Sequence, residues 1–447
     1  MASTPFLGHT DSEAIVAYRG SRALHVADFL SDVKAVADAL PARRYLVNVC
    51  GDRYRFAVGL AAALLREQVT LLPPAQTPEL LRTLQHSYEG VYALSDMAPA
   101  NQVLETVAYP SKGASIPIAA QRLVFPDSQL AAIAFTSGST GDPAPQPKSW
   151  GRLALGSASE AQRLGLVGAA GTAIVGTVPP QHMYGLESSV LLALRTGLAL
   201  HAVRPFYPAD IRAALEEIPG QRVLVTTPTH LRALLAEERR LPPLRLIVCA
   251  TAPLTPVMAQ EAEARYAAPL HEIYGFTEAG MVASRRTTQG PQWHALPGVR
   301  VWHDGRGAKV GGGHIEGEAA FTDVVELEDA HTFLLHGRGA DLVNIAGKRT
   351  SLAYLNQQLN AIAGVDDGVF FMPDEREGGV TRLMAFVVAP GLSHNAIAAA
   401  LRDRVDAVFL PRPLYLVDSL PRNAVGKLPR ETLLQLAAAC AASSKIP

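Results

Sequence analysis

Three stretches of this chain hold residue types that could grip a phosphorylated ligand. The first is Phe135-Thr136-Ser137-Gly138-Ser139-Thr140-Gly141, directly after the apolar run Leu130–Ala134. Glycine lets the backbone turn sharply and bring N–H groups close to an anion, and the hydroxyls add donors. Lys148 follows as a mobile point charge on a flexible stem. No Gly-Lys-Ser or Gly-Lys-Thr closes the stretch, so it is not a Walker loop. A surface loop rich in Gly and Ser would have the same composition, and the stretch alone leaves both readings open.

The second stretch is Tyr274-Gly275-Phe276-Thr277-Glu278. An aromatic ring, a glycine, a hydroxyl and a carboxylate suit a loop where a base stacks and a divalent ion is held. Mg²⁺ takes oxygen ligands, commonly one or two carboxylates beside phosphate oxygens, which makes Glu278 its candidate ligand. The third is Pro421-Arg422-Asn423-Ala424-Val425-Gly426-Lys427-Leu428, with Lys427 after a glycine in a turn-prone segment. Alone, the second reads better as an ordinary turn and the third as a solvated lysine.

Elements that could position these groups alternate along the chain. Apolar residues at helical spacing mark 28–40, 53–66 and 77–87. β-Favouring runs mark 45–49, 69–72 and 91–94, then 174–178, 223–227 and 246–250. Strands alternating with helices of this length predict an α/β fold of layered subdomains with mainly parallel sheets. The glycines of 305–313 predict a loop, and Thr332–Arg338 a strand. The pattern then restarts with a helix over 352–361, strands over 369–372 and 383–389, and a helix over 395–405. A boundary near 338–341 is expected, with residues 1–338 as a large N-terminal domain and 339–447 as a small α+β domain.

Charge narrows the function classes. The 40 Lys and Arg against 41 Asp and Glu offer neither a basic nucleic-acid face nor an acidic tail. Cys50, Cys249 and Cys440 are far apart and lack metal or disulfide spacing, which suits a reducing compartment. The first residues lack the basic-then-apolar pattern of a signal peptide. Apolar stretches such as Ala57–Leu65 fall short of the ~20 residues a membrane span needs. A cytoplasmic protein with no membrane span and no nucleic-acid partner is expected.

In this order and at these separations, the three stretches resemble the adenylate-forming superfamily. It includes acyl- and aryl-CoA synthetases, the adenylation domains of peptide synthetases, and luciferases. The resemblance covers nearly the whole chain. Residues 135–148 are similar to the family's phosphate loop, Tyr274–Glu278 to its Tyr-Gly-x-Thr-Glu motif, and Lys427 to its C-terminal catalytic lysine. Asp323 precedes Gly337-Arg338 with the spacing of the ribose-binding aspartate and the Gly-Arg hinge motif. His182, in Pro179-Pro180-Gln181-His182-Met183-Tyr184-Gly185, resembles the His-x-x-Gly segment at the acyl pocket. Ala250-Thr251-Ala252-Pro253-Leu254 resembles the turn beside the adenine.

The resemblance implies roles residue by residue. ATP would be held by Thr136, Ser137, Gly138, Ser139, Thr140, Gly141 and Lys148, with Thr251, Ala252, Pro253, Tyr274, Gly275, Phe276, Asp323 and Arg338. Glu278 would hold Mg²⁺, and Lys427, Glu278, Thr277 and His182 would serve catalysis. His182, Tyr184, Ala250, Tyr274 and Gly275 would line the acid pocket, with His182 as a gate or packing residue rather than an acid–base group. The implied reaction activates a small carboxylic acid as acyl-AMP, then transfers it to a phosphopantetheine thiol after the small domain turns about 338–341.

The chain departs from the family pattern in several places. Asp142-Pro143-Ala144-Pro145-Gln146 lengthens the phosphate loop, Thr322 replaces a glycine, Ala340 stands at the hinge before Asp341, and Tyr354 and Asn356 replace glutamates. The insertion and the segment Val343–Arg349 are most similar to compact ligases of aryl polyene and xanthomonadin-type pigment pathways. Those load hydroxybenzoate-like acids onto an acyl carrier protein. Arg402, Arg404, Arg412, Arg422 and Arg430 offer a basic patch for such a partner or simply a solvated face. Free CoA as acceptor, and a non-catalytic nucleotide-binding regulator, remain the competing readings.

Overall fold

Helix Arg53–Leu65 is buried on nearly every side, which marks a helix enclosed between layers. Asp52 caps it by accepting the Arg55 N–H at 2.9 Å. The helix touches Tyr45–Asn48 and Val69–Leu72 of one sheet and Ala199–His201 of another. The computed structural model describes residues 2–97, 103–110, 123–135, 144–305, 307–338, 342–345, 348–373, 383–422 and 428–443.

The first sheet has six strands, ordered Pro145–Ser149, Leu130–Phe135, Val69–Leu72, Tyr45–Asn48, Tyr92–Ser95 and Thr106–Ala108. All neighbours are parallel except the first pair. The residues read as a loop insertion therefore end in an edge strand, Pro145–Ser149. Pro145 and Pro147 are tolerated there because an edge strand need not donate to a further neighbour.

The second sheet has eleven strands. A parallel run joins Leu270–Phe276, Leu246–Cys249, Gln221–Thr226, Thr172–Gly176, Ala199–His201 and Ile15–Arg19. Beyond Leu270–Phe276 it continues antiparallel through Gly280–Arg285, Trp293–Ala295, Thr332–Arg338 and Asp323–Leu327. The large sheet is thus mixed rather than mainly parallel. Residues expected to form a glycine-rich loop include the strand Ala308–Gly312, paired with Val299–His303 and Glu318–Ala320. Glycine suits this strand because a Cβ on Gly311 would lie 3.0 Å from the Trp302 ring.

After residue 341 the chain builds the hairpin of Leu342–Ile345 with Lys348–Ser351 and the helix Leu352–Asn360. A three-stranded sheet follows, ordered Asp367–Phe371, Met384–Val388 and Leu414–Leu416, with helices His394–Arg402 and Arg430–Ser443. Leu355, Leu359, Phe370, Ala385, Ile397 and Leu401 belong to one apolar cluster of this region. Asn356 accepts the Phe370 N–H at 2.5 Å, tying helix to sheet. Among the described residues, no helix is long and apolar enough to cross a membrane.

Arg53 joins the layers at the first turn of the enclosed helix and is fully buried. Its Nη2 donates to the carbonyls of Gly176 (3.0 Å) and Val178 (2.7 Å), its Nε to Ser189 Oγ (2.9 Å), and its Nη1 to the Val203 carbonyl (3.4 Å). These bonds replace the hydration a guanidinium loses on burial. Arg53→Met leaves those acceptors without their donor and is expected to lower unfolding free energy by about 2–4 kcal/mol, with Arg53→Lys in between. Urea denaturation midpoints check this, and a Met variant as stable as the parent would contradict it.

Candidate active site

Strands of the parallel run share one carboxyl edge, where open α/β sheets bind ligands. Thr177, Thr227 and Ala250 leave the sheet at this edge, beside Tyr274. The Tyr184 hydroxyl donates between the carbonyls of Thr226 (3.1 Å) and Val248 (3.0 Å). Tyr184 therefore ties two strand ends together, and burial pushes its phenol well up. His182 is half-buried at the start of the same turn, with its N–H donating to the Pro179 carbonyl at 3.2 Å. Gly185 completes the turn because a Cβ there would lie 2.0 Å from the Pro179 carbonyl oxygen.

Thr251 opens the segment Thr251-Ala252-Pro253 with φ at +82°. A β-branched residue is rare at such an angle, and local strain of this kind concentrates at binding sites.

Tyr274, Gly275 and Phe276 end a strand rather than forming a loop, with a bulge between Tyr274 and Gly275. The Tyr274 hydroxyl donates to Asp323 Oδ2 at 2.6 Å. Its ring lies parallel to Phe321 at 6.0 Å and also meets Trp293, Phe276 and Phe333. Asp323 and Arg338 are direct partners across a hairpin, which accounts for their spacing in the sequence. Gly275 has no room for a side chain, since a Cβ would sit 2.4 Å from the Gly280 carbonyl oxygen.

Thr277 and Glu278 are half-buried in the turn that follows. Lys148 reaches this turn from the edge of the other sheet, and its Nζ donates to the Glu278 carbonyl at 2.8 Å. Only 5% of Lys148 is exposed, so it is a fixed buried charge rather than a mobile one. Burial lowers its pKa, while Glu187, Glu316 and Glu278 favour its charged form. Beside it, the Ser149 N–H donates to Glu316 at 2.8 Å. His314 Nε2 donates to the Met281 carbonyl at 2.7 Å, just past the turn.

Two buried carboxyls lie behind the turn. Burial pushes Glu187 up to about 7, with Lys148 and the Met281 N–H pulling it back. Burial pushes Glu160 up to about 8, with the Ser188 hydroxyl offsetting part of that and Glu187 adding to it. Sequence reasoning passed over both, because their surroundings come from distant segments. Glu187 is the one charged residue of the stretch 183–194, which is a readable signal.

Of the residues expected at a site, Tyr184, Ala250, Tyr274, Gly275, Thr277 and Glu278 gather along the strand ends, and Asp323 and Lys148 bond into the same group. Thr136–Gly141, Ala340, Asp341 and Lys427 lie outside the described residues. Among the described residues there is no cluster of three or more His, Cys, Asp or Glu side chains that could hold a metal. A divalent ion at Glu278 would draw its remaining oxygens from a ligand, as Mg²⁺ does with phosphates.

Residues 38–309 match the family model described as AMP-binding enzyme. The chain belongs to the AMP-binding enzyme family. It is 31% identical to a 4-coumarate–CoA ligase of Rhodobacter capsulatus, over 65% of this chain and 73% of that one. It is 22% identical to a 2-succinylbenzoate–CoA ligase of Staphylococcus epidermidis, over 68% and 69%. In fold it is similar to the O-succinylbenzoate coenzyme A synthetase MenE of Bacillus subtilis in complex with ATP and magnesium, with a TM-score of 0.82 at 18% identity, covering 97% of this chain and 100% of that one. ATP-bound MatB of Rhodopseudomonas palustris gives 0.79 at 20% identity, over 95% and 96%.

Glu160 supplies a pH prediction. Its folded carboxyl lies near 8 against an ordinary value of 4.5, so the folded state holds the proton longer. Stability is then unaffected below pH 4.5 and falls as pH rises from there to about 8. Glu160→Gln removes this loss and is expected to gain up to a few kcal/mol over the parent by pH 8, with little difference at pH 4.5. Thermal melts across this range check it. A gap that stays constant with pH would overturn it.

Proposed function

We propose that this protein is an ATP-dependent acid–thiol ligase. It activates a small aromatic, hydroxybenzoate-like carboxylic acid as acyl-AMP and passes the acyl group to a phosphopantetheine thiol. The observation that carries the reading is the joining of three distant motifs at one strand edge, through Tyr274 to Asp323 at 2.6 Å and Lys148 to the Glu278 carbonyl at 2.8 Å. The names of two curated relatives, ligases of coumarate and succinylbenzoate, support an aromatic acid.

A carboxylate is a poor electrophile because its leaving group would be oxide. Attack on the α-phosphorus of ATP replaces that group with AMP and releases pyrophosphate. Both reactants are anions, so the site needs positive charge and fixed donors where charge accumulates. Asp323 would accept from the ribose hydroxyls, and Tyr274 orients it. The turn at Thr251, Ala252 and Pro253 would face the base, and Thr136–Gly141 would donate to the phosphates. Glu278 fits a magnesium ligand as a single carboxylate beside phosphate oxygens, and the ion would neutralise phosphate charge there. Lys427 would bring a further cation, with Arg338 beside the hinge.

Residues 339–447 would act as the unit that moves between the two half-reactions, which their separate apolar cluster supports. For the acceptor, a carrier protein is favoured by exposed Arg402, Arg404 and Arg412. Arg422 leaves that patch, because its guanidinium holds Asp367 through two bonds of 2.7 Å. Free CoA is the second reading, favoured by the curated relatives, which are named as CoA ligases.

The direct experiment is ATP-dependent pyrophosphate release across aryl and short fatty acids, with no acceptor, CoA or a holo carrier protein. Stimulation by hydroxybenzoates with acyl product on the carrier protein is expected. Product on CoA alone would change the acceptor, and ATP binding without release under any acid would turn the reading to a regulator. Lys427→Ala should slow acyl-adenylate formation on the order of 10²–10³-fold at unchanged melting temperature. An unaltered rate in that variant would remove Lys427 from the mechanism. Ala340→Pro should spare pyrophosphate release more than thioester formation, and an equal loss of both would count against a hinge there.

A further inference from the structure

We propose that Glu187 is a positioning residue that holds the turn carrying Glu278, and so sets how tightly the protein takes the magnesium complex of ATP. This rests on Glu278 being the carboxylate that faces the ion. Glu187 belongs to none of the sequence motifs. It lies on a π-helical stretch, Leu186–Leu191, directly after the Met183–Gly185 turn, and only 5% of it is exposed. Such wide turns push side chains out of the usual helical register and recur at functional sites.

Its carboxylate lies on the far side of the Glu278 turn, against Gly280. A Cβ on Gly280 would sit 2.8 Å from Glu187 Oε1, and Gly280 itself has φ at +76°. The next residue, Ser188, puts its Oγ 3.7 Å from Met281 Sδ, and His314 takes the Met281 carbonyl at 2.7 Å. On the near side Lys148 grips the Glu278 carbonyl at 2.8 Å. Glu187 thus holds the Gly280 end of the turn, while Lys148 holds the Glu278 end. A turn held at both ends gives Glu278 one position before any ligand arrives, and outer residues of this kind tune metal affinity.

The test compares Glu187→Leu, Glu187→Asp and Glu187→Gln with the parent. It measures the dissociation constant of Mg·ATP by calorimetry, the Mg²⁺ half-saturation and acid KM of pyrophosphate release, and melting temperature. Leu removes the oxygens beside Gly280, Asp withdraws them by one methylene, and Gln keeps an oxygen at the same reach. Leu and Asp should weaken Mg·ATP binding about tenfold or more, and Gln should remain within about threefold of the parent. Acid KM should move less than about twofold in all three. A folded Leu or Asp variant with parental Mg·ATP affinity overturns the proposal, as does an equal loss of Mg·ATP and acid affinity. Should Leu fail to fold, Asp and Gln decide the matter alone. Because calorimetry needs no turnover, absence of acid-dependent pyrophosphate release would fail the ligase reading without touching this one.

Discussion

One buried hydrogen bond ties the two sheets together at the candidate site. Lys148 sits on the edge strand of the six-stranded sheet, and the carbonyl it holds belongs to the turn between two strands of the eleven-stranded sheet. An ammonium group at 5% exposure loses most of its hydration, which lowers its pKa, and survives as a cation only where carboxylates surround it. Glu187, Glu316 and Glu278 do so here. Ser149 bonds to Glu316 beside it, so two successive residues of the edge strand are anchored. Once the turn is placed, the bulged strand before it places Tyr274, and Tyr274 places the Asp323 carboxylate.

Much of the molecule's buried charge lies around residues 176–191. Arg53, Glu160 and Glu187 are all nearly inaccessible, and each is solved differently. Arg53 keeps its charge on backbone carbonyls, burial pushes Glu160 up to about 8, and burial pushes Glu187 up to about 7 with Lys148 offsetting part of the rise. Apolar residues of equal volume would pack these places with less cost in desolvation. Ionisable groups kept at such a cost are typical of regions where geometry is set for binding rather than for stability.

The strand edge explains why residues of different kinds converge. Parallel strands all end on one side, so the residues after each strand become neighbours without being near in sequence. Tyr184 closes this edge by bridging two strand ends, and the aromatic group of Tyr274, Phe276, Trp293, Phe321 and Phe333 closes the next part. Membership of the AMP-binding enzyme family gives this edge a chemical context.

The sequence by itself determined the local elements, the family and the motif residues. Strands such as Val69–Leu72 and Thr332–Arg338 were legible to the residue, because period-two and continuous apolar runs reflect burial directly. Motifs were legible because close backbone approach demands glycine, as at Gly185 and Gly275. Tertiary structure decided the rest. Ala308–Gly312 became a strand through pairing with Val299–His303 and Glu318–Ala320, and 145–149 became an edge strand despite two prolines. Lys148 changed from a mobile charge to a buried clamp, and Glu160 and Glu187 acquired raised carboxyl pKa values. The physical reason is common to all of these. Desolvation and charge pairing depend on which distant segments surround a group, and linear spacing carries no record of that.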